Sequence, residues 1–330
     1  MKKRVLVTGA TGFIGTNFLE HIKENSDFEV TAVFHNKQPF IQARNIHYLQ
    51  SDLQSLQECR RIVKGQDYLY MFAGKMSTTA MMIQNPLGPV AENTILNAQM
   101  LAAAYEAGVK KYLWLSSTTG YPQLDRPMEE KDFFVGEPPS PYEPTGWMVR
   151  YIEKLSFLYA TKPKRPMTVI ALRPTAVFGE YDDFNFETCH ALPALLRRVV
   201  ERKSPIEIWG SGDDRRDWIY VGDVIDACLL AMEKVEGFGA FNVGMGRSSY
   251  NLNEILIEIL KMENFEEAEI VHHMSASSTV LHRCFDCSLA SSAFNFTAKT
   301  SLQTAIANTI RWYKANETQN LTSPRFYQNL

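Results

Sequence analysis

The sequence is short of most features that mark a specialised environment. Net charge is one of them: 34 Lys and Arg against 37 Asp and Glu leave −3 over 330 residues. That balance gives no electrostatic reason to expect nucleic acid or an anionic membrane as partner, so any bound anion must be met by a few placed basic groups. Cysteine is scarce and scattered, at Cys59, Cys189, Cys228, Cys284 and Cys287. The last two form a CxxC, but without a second pair or a nearby His they read as two thiols and not as a zinc site, so no metal is expected. A reducing cytoplasm fits this cysteine usage best. No run of about 20 apolar residues occurs, which excludes a membrane-spanning helix. The opening "MKKRVLV" starts as a signal peptide does, yet its apolar run breaks at once into "TGATGFIG". Internal repeats, low-complexity tracts and Pro/Gly/Ser-rich linkers are missing as well.

What is present is globular. Hydrophobic residues at 45% and charged residues at 22% suit one large domain or two moderate ones with a proper core. In the first half short β-branched runs alternate with helical stretches: strands at 4–9, 28–34, 46–50, 67–73 and 111–117, helices at 13–24, 55–64 and 90–107. Such alternation predicts a parallel sheet covered on both faces. The second half is mixed, with strands at 167–174 and 240–244 and helices at 190–203, 223–234 and 301–316. The expected fold class is α/β, a Rossmann-type doubly wound parallel sheet with a smaller interleaved α/β substrate lobe. Residues 1–172 are expected to form the first domain, the dinucleotide-binding one on the motif described next, with 217–246 returning to it. Residues 173–216 and 247–330 form the lobe.

"VTGATGFIG" carries most of the chemistry. Gly9 permits a tight turn, Gly12 lets the backbone approach a pyrophosphate, and Gly15 lets helix and strand pack closely. The helix start then offers free N–H groups, so Thr11, Phe13 and Ile14 join the glycines as dinucleotide-binding residues. Asp52 and Leu53, after the third strand, lie where an Asp reaches an adenine edge. NAD selectivity usually needs an acid at the end of the second strand, and here stand His35, Asn36 and Lys37. A neutral or basic site tolerates a 2′-phosphate, so NADP is the expected cofactor, with NAD the alternative.

From the glycine turn to "TIRWYKAN" the chain resembles the extended short-chain dehydrogenase/reductases, the nucleotide-sugar epimerase and dehydratase group. "LSSTTGYP" is similar to that group's strand with an active-site Ser/Thr, "LRPTAVFGEYDDF" to its substrate loop, and "GSGDDRRDWIYVGDV" to its phosphate-binding segment, with "FNVGMGRSSYNLNEI" next in order. Within the group it most resembles the GDP-fucose synthase branch. "FAGKMS" looks like that branch's Ala-rich turn, implying cofactor contacts from Ala73, Gly74 and Lys75. "DDFNFETCHALPALLRR" is similar to its loop leading into a helix with an epimerisation histidine, matched by His190.

The resemblance implies a Tyr and a Lys four apart on one helix face, the phenol moving a proton while the Lys lowers its pKa and the Ser/Thr steadies the same oxygen. In the register set by "RYIEKLSFLY" those positions are Thr145 and Val149, and a Cys expected in "SSTTGYP" is Thr119. Shifting to Tyr142 or Tyr151 restores no Lys, since Gly146 and Leu155 follow four residues later. Ser117 and Thr118 are left to orient the reacting oxygen and His190 to act as acid/base, with Thr145 at most a hydrogen-bonding group. His190, Tyr142, Tyr121 and Lys75 are the candidates to reroute the proton. The resemblance also implies substrate contacts by Arg216 and Arg283 at the nucleotide diphosphate, by Trp209 as a wall for the base, with core packing as its alternative, and by Asn185 in the loop. An enzyme acting on a nucleotide sugar, GDP-linked, is the expectation; a catalytically inactive dinucleotide-binding sensor is the alternative. A homodimer through helices near 90–107 and 145–161 is inherited from the same resemblance.

Overall fold

A computed structural model describes residues 2–75, 78–246, 249–274 and 282–322. The strands in chain order are β1 (Lys3–Thr8), β2 (Phe28–Phe34), β3 (Ile46–Gln50), β4 (Tyr68–Met71), β5 (Lys111–Leu115), β6 (Thr168–Pro174) and β7 (Ala176–Phe178). They continue with β8 (Ile206–Trp209), β9 (Arg215–Arg216), β10 (Trp218–Tyr220), β11 (Phe238–Val243), β12 (Ile270–His273) and β13 (His282–Arg283). The helices are α1 (Phe13–Ile22), α2 (Leu56–Ile62), α3 (Thr79–Gln84), α4 (Val90–Ala107), α5 (Glu143–Thr161), α6 (Ala191–Val200), α7 (Val221–Lys234), α8 (Leu252–Glu263), α9 (Ser288–Phe294) and α10 (Leu302–Thr322).

Seven strands form one parallel sheet in the order β11-β6-β5-β4-β1-β2-β3. Both faces are buried because the strands are apolar at consecutive positions, and side chains of a strand alternate between faces. Val5 and Val7 thus pack with Phe18 of α1, Ile225 of α7 and Phe294 of α9. Leu6 between them packs with Ile62 of α2, Met100 of α4 and Ile152 of α5 on the other face. The order reverses between β1 and β4, and in such sheets that crevice at the strands' carboxyl ends receives the ligand.

A separate apolar cluster joins α6, α8, α10 and β8 through Leu196, Ile259, Ile306 and Ile208. Small parallel pairs, β7–β10, β8–β12 and β9–β13, tie this lobe together. Ala290, Phe294 and Phe296, counted with the lobe in the sequence division, pack on the sheet face that carries α7.

The connection from β5 to α5 is held by one buried cation. Arg150 donates from Nε to Gly120 O at 2.8 Å, from Nη1 to Gly136 O at 2.7 Å and from Nη2 to Val135 O at 3.1 Å. Three carbonyls take three of its five N–H donors, which ties the loop over residues 120–136 to the helix that carries Thr145 and Val149. Positions 76–77 of the Ala-rich turn, 247–248 and 281 in the second-half motifs, and the C-terminal 323–330 lie outside the described residues.

Candidate active site at the sheet's carboxyl edge

The glycine turn is built as its spacing requires. Gly9 has φ of +66°, and a Cβ there would meet the Phe72 and Ala73 backbone at 2.7 Å. A Cβ on Gly15 would lie 2.1 Å from Gly9 O, so α1 sits directly on the turn. Gly12 occupies the position before α1, and no side chain caps that helix's first N–H groups. Unspent donors and the positive end of the helix therefore face the crevice between β1 and β4. Those features fit a dinucleotide pyrophosphate at the turn formed by Gly9, Thr11, Gly12, Phe13 and Ile14.

The flanking residues are placed as follows. His35 and Asn36 are exposed at the end of β2, and Lys37 is half-buried. Burial lowers the Lys37 ammonium pKa, and the Asp183 carboxylate opposes that shift. Asp52 is exposed with Oδ1 accepting from Gln54 N at 3.0 Å, and Leu53 is buried in the core. Ala73 N donates to Thr8 Oγ1 at 3.3 Å, and Gly74 is exposed beside it. Lys75 pairs with Glu92 of α4 at 3.0 Å, which occupies its ammonium.

Ser117 and Thr118 follow β5 in a short turn. Ser117 Oγ accepts from Thr119 N at 3.1 Å and from Thr119 Oγ1 at 3.0 Å. Across from them α5 begins, and a Cβ on Gly146 would stand 2.7 Å from Thr119 O. Thr145 is 9% exposed, and its Oγ1 has no hydrogen-bond partner among the described residues. Val149 is buried in the apolar cluster with Tyr121, Met128 and Phe133.

Helix α5 is locked in register by a pair that sequence patterning passed over. Glu153 accepts from Arg173 Nη2 at 2.5 Å and from Nε at 2.8 Å, and Ser116 Oγ donates to it at 2.5 Å. Arg173 Nη1 also donates to Tyr121 OH at 2.8 Å, and that hydroxyl donates to Asn242 Oδ1 at 2.6 Å. "RYIEK" and "LRP" held the signal, two opposite charges inside otherwise apolar elements. The same network removes Tyr121 as a proton carrier, because it is fully buried and both its bonding directions are spent. Burial also pushes its phenol well above the ordinary range.

His190 stands immediately before α6 and caps nothing with its side chain. It is solvent-accessible, yet the surrounding protein lowers its imidazole pKa, desolvation outweighing the pull of Asp183. The loop before it is rigid: Asp183 accepts from Asn185 N at 2.9 Å and from Thr188 Oγ1 at 2.5 Å. Asn185 is buried with Oδ1 accepting from Glu187 N at 3.1 Å, so its side chain serves the loop.

On the lobe side, Arg216 pairs with Asp214 at 3.4 Å and lies beside Arg283 in the β9–β13 register. Trp209 is 68% exposed at the end of β8, so core packing does not hold it and its face is open to a ligand. Arg283 is 6% exposed, with Nη2 donating to Thr118 O. Asp217 ties β10's entry to the segment after β11, accepting from Met245 N at 2.9 Å and Gly246 N at 3.1 Å. Burial raises its pKa to about 6 against the pull of those N–H groups. A carboxyl raised above its unfolded value contributes stability below about pH 4 and loses it as pH rises through about 6. The stability difference between the protein and Asp217→Asn, followed by urea unfolding, should therefore change by about 3 kcal/mol across that window and level off above it.

The description of the NAD dependent epimerase/dehydratase family matches residues 5–244. The chain belongs to that family. A relative from Arabidopsis thaliana named putative GDP-L-fucose synthase 2 is 26% identical over 323 residues, covering 96% of this chain and 93% of that protein. The solved UDP-glucose 4-epimerase of Thermotoga maritima, with UDP-glucose, has a TM-score of 0.84 at 23% identity, covering 95% of this chain and 99% of that one. That likeness bears out the α/β doubly wound fold. MoeE5 in complex with UDP-glucose and NAD gives 0.81 at 25% identity with the same coverage. The Glu153–Arg173 pair holds Thr145 and Val149 on the buried side of α5.

Proposed function

We propose that the protein is an NAD(P)-dependent oxidoreductase or epimerase of a nucleotide-activated sugar, GDP-linked, with NADP as dinucleotide. The observation that carries this reading is a pair of buried polar atoms without partners among the described residues, Thr145 Oγ1 and Arg283 Nη1, flanking Ser117 and Thr118. Leaving such atoms unsatisfied costs about 1–3 kcal/mol each, which a bound hydroxyl-rich ligand recovers. The relative named GDP-L-fucose synthase supports the GDP linkage, and Lys37 without an acid beside it on the β2 end supports NADP.

When bound, the nicotinamide supplies hydride acceptance or donation. The chain's own residues do the rest. Gly9, Gly12 and the start of α1 hold the pyrophosphate, and Arg216 and Arg283 meet the sugar's diphosphate with bidentate donors. Trp209 walls the base. Ser117 orients the reacting oxygen. His190, its basic form favoured by the lowered pKa, takes a proton from a sugar carbon or oxygen. Replacing His190 with Asn should cut turnover by about 100-fold or more, with dinucleotide and GDP-sugar affinities unchanged in calorimetry. Unchanged turnover removes His190 from the mechanism.

A homodimer through α4 and α5 belongs to the same reading; Ile95, Trp147, Tyr151 and Leu158 present apolar surface there. So does a cytoplasmic location, which five free cysteines suit. One observation favours a second reading, a catalytically silent dinucleotide sensor: Val149 puts apolar core where an ammonium is expected. Proton exchange at sugar carbons, with His190→Asn as control, separates the two.

A further inference from the structure

The proton chemistry lacks a phenol and a cation at Thr145 and Val149, but the structure brings another phenol and another cation to the same turn. Arg283 reaches from β13 to donate to Thr118 O, and its guanidinium carbon lies 5.2 Å from the centre of the Tyr142 ring. Tyr142 is half-buried at the residue preceding α5, one turn before Thr145, where that helix start presses on Thr119. We propose that Tyr142 and Arg283 supply the phenol and the cation that the family pattern places at 145 and 149. The proposal deepens the nucleotide-sugar reading and rests on it.

Three observations support the pair. First, Arg283 is a buried cation, and the groups acting on it are Tyr142, Arg216 and Tyr121. None is a carboxylate, and a buried charge needs a counter-charge. Tyr121 is spent on Arg173 and Asn242, and Tyr142 is the other phenol acting on Arg283. Second, burial draws the Arg283 pKa down to about 10, opposed by Tyr142 and reinforced by Arg216, which still leaves it charged at neutral pH. A charged guanidinium beside a phenol favours the phenolate, which is the job the missing Lys is expected to do. Third, Arg283 Nη1 is buried without a partner among the described residues, so the guanidinium keeps a donor for a ligand oxygen or for the phenolate.

The step balances. With an oxidised nicotinamide bound, that group would accept the carbinol carbon's hydrogen with its electron pair, and the Tyr142 phenolate would take the hydroxyl proton. The carbinol C–H and O–H bonds would break, the carbonyl π bond, the nicotinamide C–H and the phenol O–H would form, and Arg283 would lose its anionic neighbour. Reduction runs the same transfers backwards.

The test uses the full chain with 13C-labelled tyrosine, Tyr142→Phe assigning the resonance, and three further proteins: unaltered, Arg283→Lys and Arg283→Met. Tyr142 should titrate about one pH unit or more lower in the unaltered chain than in Arg283→Met, with Arg283→Lys between them. Where a nucleotide sugar is turned over, Tyr142→Phe should lower kcat by about 100-fold with little change in KM. An unshifted titration, or undiminished kcat in Tyr142→Phe, overturns the pair. Weaker binding of a nucleoside diphosphate to Arg283→Met with an unmoved Tyr142 titration overturns it too, and makes Arg283 a phosphate ligand only. A shifted titration in a chain that turns over no sugar supports the pair and overturns the substrate reading, so the two failures are distinguishable.

Discussion

Arg173→Met should leave a chain that is barely folded. Arg173 is 2% exposed and Glu153 is 1% exposed, so removing the guanidinium strands a carboxylate in the core. Breaking a buried pair in this way costs about 3–5 kcal/mol, against a total stability of roughly 5–15 kcal/mol for a typical protein. The loss extends further here, because Arg173 also donates to Tyr121 OH and lies 3.7 Å over the Phe133 ring. Urea unfolding should show a large fall in midpoint, and adding Glu153→Leu should recover part of it by removing the stranded charge. An unchanged midpoint in the single variant would contradict the network that sets the register of α5.

Gly15→Ala should abolish useful dinucleotide binding. The added Cβ would fall 2.1 Å from Gly9 O and 2.8 Å from its carbonyl carbon, so α1 must move off the turn. The displaced atoms are backbone, which cannot step aside as a flexible side chain does. Since the N–H groups of α1 and the Gly9 turn form one surface, a small displacement spoils both, and an affinity loss of about 100-fold, ~3 kcal/mol, is expected. Fluorescence titration with reduced nicotinamide dinucleotides measures it. Thermal unfolding of the same variant distinguishes a damaged site from a damaged fold. Affinity within a few-fold of the unaltered chain would mean that the dinucleotide does not use this turn.

The parts of the molecule that read easily from sequence are those governed by local rules. A strand, three glycines and a helix within "VTGATGFIG" state their own geometry, and β1 and α1 form where the pattern puts them. Strand periodicity likewise gave the parallel sheet, with ends shifted by one or two residues. The short pairs β8–β12 and β9–β13 were not legible, because each joins residues about 65 positions apart and neither partner has a long apolar run. Arg150 shows the limit most plainly. A charged residue on a helix is usually a solvated one, and only the fold reveals that three loop carbonyls from 120, 135 and 136 converge on it. For the site, residue types could show only that a Thr and a Val stand at 145 and 149. They could not show that Arg283, 165 positions beyond Thr118, returns a cation to the same turn.

The central claim is that this family member still binds a dinucleotide and works on a nucleotide sugar. The most direct measurement denatures the purified protein, identifies any dinucleotide released, and follows nicotinamide absorbance as the intact protein meets a panel of nucleotide sugars. A released or readily bound dinucleotide, NADP in preference to NAD, and an absorbance change with a GDP-linked sugar are the expected results. A chain that neither carries nor binds a dinucleotide, and leaves every sugar unchanged in absorbance and in proton exchange, would contradict the claim.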